Sequence, residues 1–237
     1  MRAMILAVQF MTRLPVPAMD ATEADFANAI RWFPLCGALV GFCVAGAGWL
    51  GSQHDPALGA LLALTAWVGV TGALHLDGLA DIADAAGAMH RTPEHLSVVL
   101  ADPHVGSFGA TSIALQMLAK LVLVWLTILT GSYAALVLVP VLARIGPLAW
   151  ARFLSPLHEG FGTLFRKGAN APVLIVWLLA WSIGALAVDP ALLASLPALA
   201  VWPWWLRKRI GGISGDGHGA GIELVETCAL LAQVVAQ

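Results

Sequence analysis

Apolar runs dominate the chain, and polar residues come as interruptions between them. About 20 apolar residues are needed to cross a bilayer as a helix. Residues 29–50, 57–74, 110–130 and 133–153 meet or approach that length. Residues 172–188 and 191–206 follow, joined through Asp189-Pro190. A last apolar helix over 222–237 falls short of it. Residues 1–18 are too short and too broken to cross, and predict an interfacial helix ending at the Pro15/Pro17 turn. Several interruptions are tight turns, among them residues 51–56 and Gly131-Ser132. Residues 75–108 form the longest polar stretch; within it Thr92 and Pro93 predict a helix start, with the end near Ala101. Residues 211–219 (Gly-Gly-Ile-Ser-Gly-Asp-Gly-His-Gly) read as a glycine-rich loop. The pattern predicts an all-α, polytopic membrane helix bundle, a single domain over 1–237 with about six or seven transmembrane helices.

Composition strengthens that reading. The chain is 59% hydrophobic and 11% charged, with a mean hydropathy of +0.84. A soluble domain carries about 25% charged residues. Ten Trp against one Tyr fit interfacial and intramembrane aromatics. A formal net charge of −2 gives no polybasic footprint, so no nucleic-acid partner is expected. Cys36, Cys43 and Cys228 all lie in apolar runs and form no close pair, which predicts buried, inert thiols. Arg13 interrupts the first apolar run and no small-residue cleavage site follows, so a cleavable signal peptide is not expected.

The charges also predict a topology. The interruptions at 51–56, 131–132 and 189–190 contain no Lys or Arg. The N-terminal segment and the stretches 75–108, 154–171 and 207–221 hold most of them, and the two sets alternate. By the positive-inside rule the basic set is cytoplasmic, which puts the N-terminus inside. Three acidic segments then share one membrane face: Asp77 to Asp84, Asp102 and Asp216. An acidic cytoplasmic-face pocket is the expectation.

Asp77, Asp81 and Asp84 are the densest chemistry. Their i, i+4, i+7 spacing puts them within an arc of roughly 60° on a helix. Like charges on one face repel, and a divalent cation would reverse that repulsion. Oxygen-only donors favour Mg²⁺ over zinc. His75, His104 and His218 fit no compact zinc motif. Asp102 reads either as a loop cap or as a functional acid. The Gly106-x-x-Gly109 spacing, around Ser107, leaves room for a phosphate. The glycines flanking Asp216, Gly215 among them, suggest backbone that wraps a ligand. Arg144 lies inside an apolar helix, where a phosphate contact and an ion pair are both open readings. Glu223 and Glu226 lie one turn apart and could simply complement a helix dipole.

Several segments together resemble a known family. Residues 10–17 (Phe-Met-Thr-Arg-Leu-Pro-Val-Pro), 33–37 (Phe-Pro-Leu-Cys-Gly), 75–81 (His-Leu-Asp-Gly-Leu-Ala-Asp) and 211–216, with Glu223 and Glu226, look like cobalamin synthase, also called adenosylcobinamide-GDP ribazoletransferase. The likeness covers essentially the whole chain. It implies a Mg²⁺-dependent bacterial inner-membrane enzyme that joins adenosylcobinamide-GDP to α-ribazole or its 5′-phosphate and releases GMP. It implies Asp77, Asp81, Asp84 and Asp216 as metal-site candidates, and Asp77, Asp81 and Asp102 as catalytic ones. His75, Ser107, Arg144, Gly215 and Asp216 are the substrate-binding candidates. Expected partners are those two substrates, the lipid bilayer, a second copy of the chain and other B12-assembly enzymes. Two departures stand out. Pro103 and His104 follow Asp102 where the family has Ser and Arg, and Ala85 follows Asp84 where Gly is usual. Two rival classes have their own marks. A CDP-alcohol-type phosphotransferase needs an Arg where Asp81 stands. A cation-coupled transporter needs midplane acids and repeated halves.

Overall fold

A computed structural model describes residues 1–87, 104–157 and 161–237. Among these there is no strand, and helices carry the architecture. In chain order they are α1 (Arg2–Met11), α2 (Glu23–Ala29), α3 (Phe33–Ser52), α4 (Pro56–Thr71), α5 (Leu74–Gly87), α6 (Ser107–Leu129), α7 (Tyr133–Phe153), α8 (Phe161–Gly168), α9 (Ala171–Val188), α10 (Ala198–Arg209) and α11 (Gly215–Val235). The expected helix between Thr92 and Ala101, and Asp102 itself, lie outside the described residues.

Local chemistry sets the helix ends. Asp55 accepts from the amides of Ala57 and Leu58 at the start of α4, with Pro56 at its first position. Asn170 caps α9 the same way through Val173, with Pro172 in its first turn. Thr22 and Asp25 form a reciprocal capping box on α2. Glycines let the central helices close on each other. A methyl at Gly51 would sit 2.7 Å from the Gly59 Cα, and one at Gly41 would sit 2.6 Å from the Val137 Cα. α3 therefore packs tightly against both α4 and α7, as small residues allow in membrane bundles. α6 and α11 run side by side in the same direction, pairing Gln116 with Glu223, Lys120 with Glu226 and Thr127 with Gln233.

Four segments are long and apolar enough to cross a membrane: Glu23–Ser52, Ser107–Leu129, Tyr133–Phe153 and Ala171–Val188. A fifth appears if α4 and α5 count as one bent span. That is fewer than the six or seven expected. Residues 190–209 break into a 3₁₀ run, Pro190–Ser195, and the 12-residue α10. α11 is long enough at 21 residues, yet it carries Asp216, His218, Glu223, Glu226 and Gln233. Most of these polar side chains are buried against neighbouring helices.

The expected glycine-rich loop is shorter than its composition suggests. Ser214 caps α11 by accepting from the Gly217 amide at 3.1 Å, so residues 215–219 are its first helical turns. Cys36 is buried as expected, but Cys228 is exposed, because it lies on the outward face of α11.

α5 turns 83° away from α4. Gly72 (φ +62°) and Ala73 (φ +58°) are both left-handed, which makes the corner. Arg13 holds it: its amide donates to the Val70 carbonyl at 2.7 Å, and its side chain covers Gly72. α5 thus runs across the end of the bundle where α6 and α11 begin. The opposite end carries the turns after α3, α6 and α9, and none of these has a Lys or Arg.

Candidate active site

Two close backbone approaches bring the acidic motifs together. A methyl at Gly78 would sit 2.8 Å from the Asp216 carbonyl oxygen. One at Gly219 would sit 3.3 Å from the His75 Cα. The first turns of α5 and α11 can therefore touch, and their side chains open onto a shared cavity of about 370 Å³. Of the sequence candidates, His75, Asp77, Gly215 and Asp216 line it. Ser214 and His218 line it as well. Phe10, Phe33 and Phe165 of α1, α3 and α8 give the cavity an apolar lining beside these groups.

Asp81 lies one turn beyond Asp77 on α5 and is partly buried. Its carboxyl is pushed up to about 6, first by burial and then by Asp216, Asp77 and Asp84. Asp216, Asp77 and Asp84 thus each lie near enough to Asp81 to act on its charge, while only Asp77 and Asp216 of the four line the cavity. Among the described residues no three His, Cys, Asp or Glu groups converge closely enough to hold a metal ion as they stand.

Asp84 has another partner. Its two oxygens accept the amides of Gly106 at 2.7 Å and Gly109 at 2.9 Å. A Cβ at either glycine would collide with this carboxylate. The Gly-x-x-Gly space that reads as room for a phosphate is filled by the chain's own anion, which binds α5 to the start of α6. Ser107 follows directly as the first residue of α6 and is exposed, away from the cavity.

Arg144 is fully buried. One amino group pairs with Glu226 and donates to the Pro140 carbonyl at 3.2 Å; the other lies 3.4 Å from His75 Nδ1. Of its two open readings, the ion pair is the one the fold builds. Glu226 also pairs with Lys120, which reaches Glu223 at 2.6 Å. Gln116 donates to Glu223 at 2.9 Å, and Trp67 to Glu226 at 3.3 Å. Glu223 and Glu226 are thus interior ion-pair partners and do not serve a helix dipole. In the sequence Lys120 stands as a lone charge within an apolar run, and only the packing of α6, α7 and α11 supplies its partners.

Arginine can only donate, so His75 accepts at Nδ1 and carries its proton on Nε2. That Nε2, and Nδ1 of His218, are buried with no partner among the described residues. His218 stacks on Trp150 at 6.0 Å. Sequence reasoning considered His218 only as a zinc ligand, and gave Phe165 no role. Nothing local marks either as a cavity wall.

These features define a polytopic helical membrane protein with a carboxylate-lined cavity at one end of its bundle. The chain belongs to the cobalamin-5-phosphate synthase family, whose model matches residues 3–234. A protein of Novosphingobium aromaticivorans named adenosylcobinamide-GDP ribazoletransferase is 53% identical, covering 99% of this chain and 97% of its own. Proteins of the same name from Laribacter hongkongensis and Thiobacillus denitrificans are 51% and 44% identical, over 100% and 98% of this chain and 98% and 94% of their own. No solved structure matches the chain.

Proposed function

We propose that this protein joins adenosylcobinamide-GDP to α-ribazole, or to α-ribazole 5′-phosphate, and releases GMP. Full-length membership of the family supports this transferase reading over a phospholipid synthase or a transporter. The observation that carries it at the site is the backbone contact of Gly78 with Asp216, which places Asp77 and Asp216 on one cavity.

Asp77, Asp81 and Asp216 would hold a hard divalent cation once their side chains closed on it; carboxylate oxygens suit Mg²⁺, and the like charges that add to burial in raising the Asp81 carboxyl would be relieved. Mg²⁺ bound there would neutralise pyrophosphate charge and favour GMP as leaving group. The chain's own residues do the rest. Asp77 and Asp216 orient the attacking ribazole hydroxyl, and one of them takes its proton. The new bond joins that oxygen to the phosphorus on the corrinoid side, and the bond from that phosphorus to the GMP oxygen breaks. His75, with its proton on Nε2, donates to an acceptor on the bound substrate. The fold of α5 across the bundle end opens the site towards the membrane surface, where a bulky amphipathic corrinoid can lie. The concentration of Lys and Arg at that end supports placing it on the cytoplasmic side of a bacterial inner membrane.

Membranes holding the protein, given both substrates and Mg²⁺, are expected to form the cobalamin product and GMP. A chelator should stop turnover, and added Mg²⁺ should restore it. Asp77→Asn should lower kcat by about 100-fold or more, equivalent to a loss of about 3 kcal/mol of transition-state stabilisation. Full activity in that variant would remove Asp77 from the site.

A further inference from the structure

Two unlike sets of side chains line the cavity, and together they specify what it holds. One set is Phe10, Phe33 and Phe165, whose rings pack at 5.2–6.0 Å, edge-on or stacked. The other holds His75, Asp77 and Asp216. Phe10 and Phe33 lie in the two N-terminal segments that carry the family likeness but touch none of the acidic residues' chemistry. The fold gives them a use.

Size narrows the occupant. At about 370 Å³ the cavity is near the lower end of the roughly 300–1,000 Å³ of small-molecule sites. A nucleoside fits that space, and a corrin macrocycle with its side arms does not. Chemistry then separates the two nucleosides of the reaction. Phenylalanine rings offer neither donor nor acceptor. Guanine pressed against them would bury its amide edge and exocyclic amine unpaired, which is costly for each group. A dimethylated benzimidazole presents methyl groups and an aromatic face, which such a wall accepts without loss. The polar wall asks for the complementary half. His75 offers a proton on Nε2 that has no partner among the described residues, whereas the carboxylates can only accept. A ribose hydroxyl can satisfy both kinds of group.

We infer that this cavity is the α-ribazole subsite, with the benzimidazole against Phe10, Phe33 and Phe165 and the ribose facing His75, Asp77 and Asp216. The inference rests on the proposed function and adds the orientation of one substrate within it. The guanine and corrin parts of the other substrate stay outside the aromatic pocket. The attacking hydroxyl is thereby delivered to the acidic wall.

The test uses the full chain in lipid nanodiscs. α-Ribazole binding is followed by calorimetry without the second substrate, and KM is measured for both substrates. Phe165→Ala is expected to weaken α-ribazole binding and raise its KM roughly tenfold, leaving the KM for adenosylcobinamide-GDP within about twofold. Phe165→Leu preserves apolar volume and should fall between, which separates loss of the aromatic contact from loss of fold. GMP should not displace α-ribazole. Displacement by GMP, or a raised KM for adenosylcobinamide-GDP alone, would assign the pocket to guanine and overturn the inference. Turnover with unchanged α-ribazole affinity in both variants would overturn it while leaving the reaction standing. Absence of turnover and of α-ribazole binding in the unaltered protein would instead remove the proposed function itself.

Discussion

Asp81 is the residue in which the acidic face is most directly measurable. Its carboxyl is held at about 6 by burial and by three neighbouring carboxylates. The sign follows from linkage. Because the folded-state pKa lies above the unfolded one, the contribution of Asp81 to stability is complete below about pH 4 and is lost as pH rises through about 6. A cation bound beside it must displace the proton it still holds in that window. Mg²⁺ binding at about pH 6 is therefore expected to release protons, and binding at about pH 8 to release almost none. Calorimetry in buffers of differing ionisation enthalpy measures this release. Asp81→Asn should abolish the difference between the two pH values; an unchanged release in that variant would place the displaced proton elsewhere. His75 shows a second residue-scale effect. Its proton position is set by Arg144, which never reaches the cavity, so a buried guanidinium acts on the site through an imidazole.

At the scale of elements, α6, α7 and α11 are joined by one charge network. Lys120 from α6 and Arg144 from α7 meet Glu223 and Glu226 from α11, all almost fully buried. Removing one member leaves its partner charged and unpaired, which costs about 3–5 kcal/mol in such settings. Lys120→Met is expected to destabilise by that amount in detergent unfolding, because Glu223 keeps only Gln116. Adding Glu223→Gln should recover most of the loss, and an equal loss in the double variant would show that the unpaired Glu223 charge is not its cause. The physics also explains what the sequence reveals. The i, i+4, i+7 acids and the apolar helices α3, α6, α7 and α9 are local patterns, and they read directly. The partners of Lys120 and Arg144 are about 80 to 106 residues away in the chain and follow from packing alone. The Gly106-x-x-Gly109 spacing reads as room for a phosphate, and what fills it is the carboxylate of Asp84 from the preceding helix. The glycines of 211–219 read as a loop, but Ser214 caps the helix, and so α11 starts earlier than its apolar pattern suggests.

At the scale of the whole molecule, the two ends of the bundle differ in charge. Lys120 and Arg144 are buried in the interior. The other described Lys and Arg residues lie in or beside α1, α2, the end of α7, α8 and the end of α10. Those elements surround the cavity end, because α1, α3 and α8 supply its phenylalanines and α10 leads into Ser214. The opposite end presents the 52–56, 130–132 and 188–190 turns without a basic residue. Charge and site therefore coincide: the same end that carries the basic residues carries the carboxylates. A polyanionic substrate such as a nucleoside diphosphate ester gains from that arrangement, since the surrounding cations attract it. By the positive-inside rule this asymmetry supports the proposed orientation, with the cavity on the cytoplasmic side. Two exposed positions report it in a variant lacking Cys36, Cys43 and Cys228. His54→Cys, between α3 and α4, should react with a membrane-impermeant thiol reagent added to intact cells. Lys167→Cys, at the end of α8, should react only after the membrane is opened. The reverse pattern would put the cavity outside, away from a cytoplasmic supply of nucleotide-activated substrate, and would contradict the functional reading along with the topology.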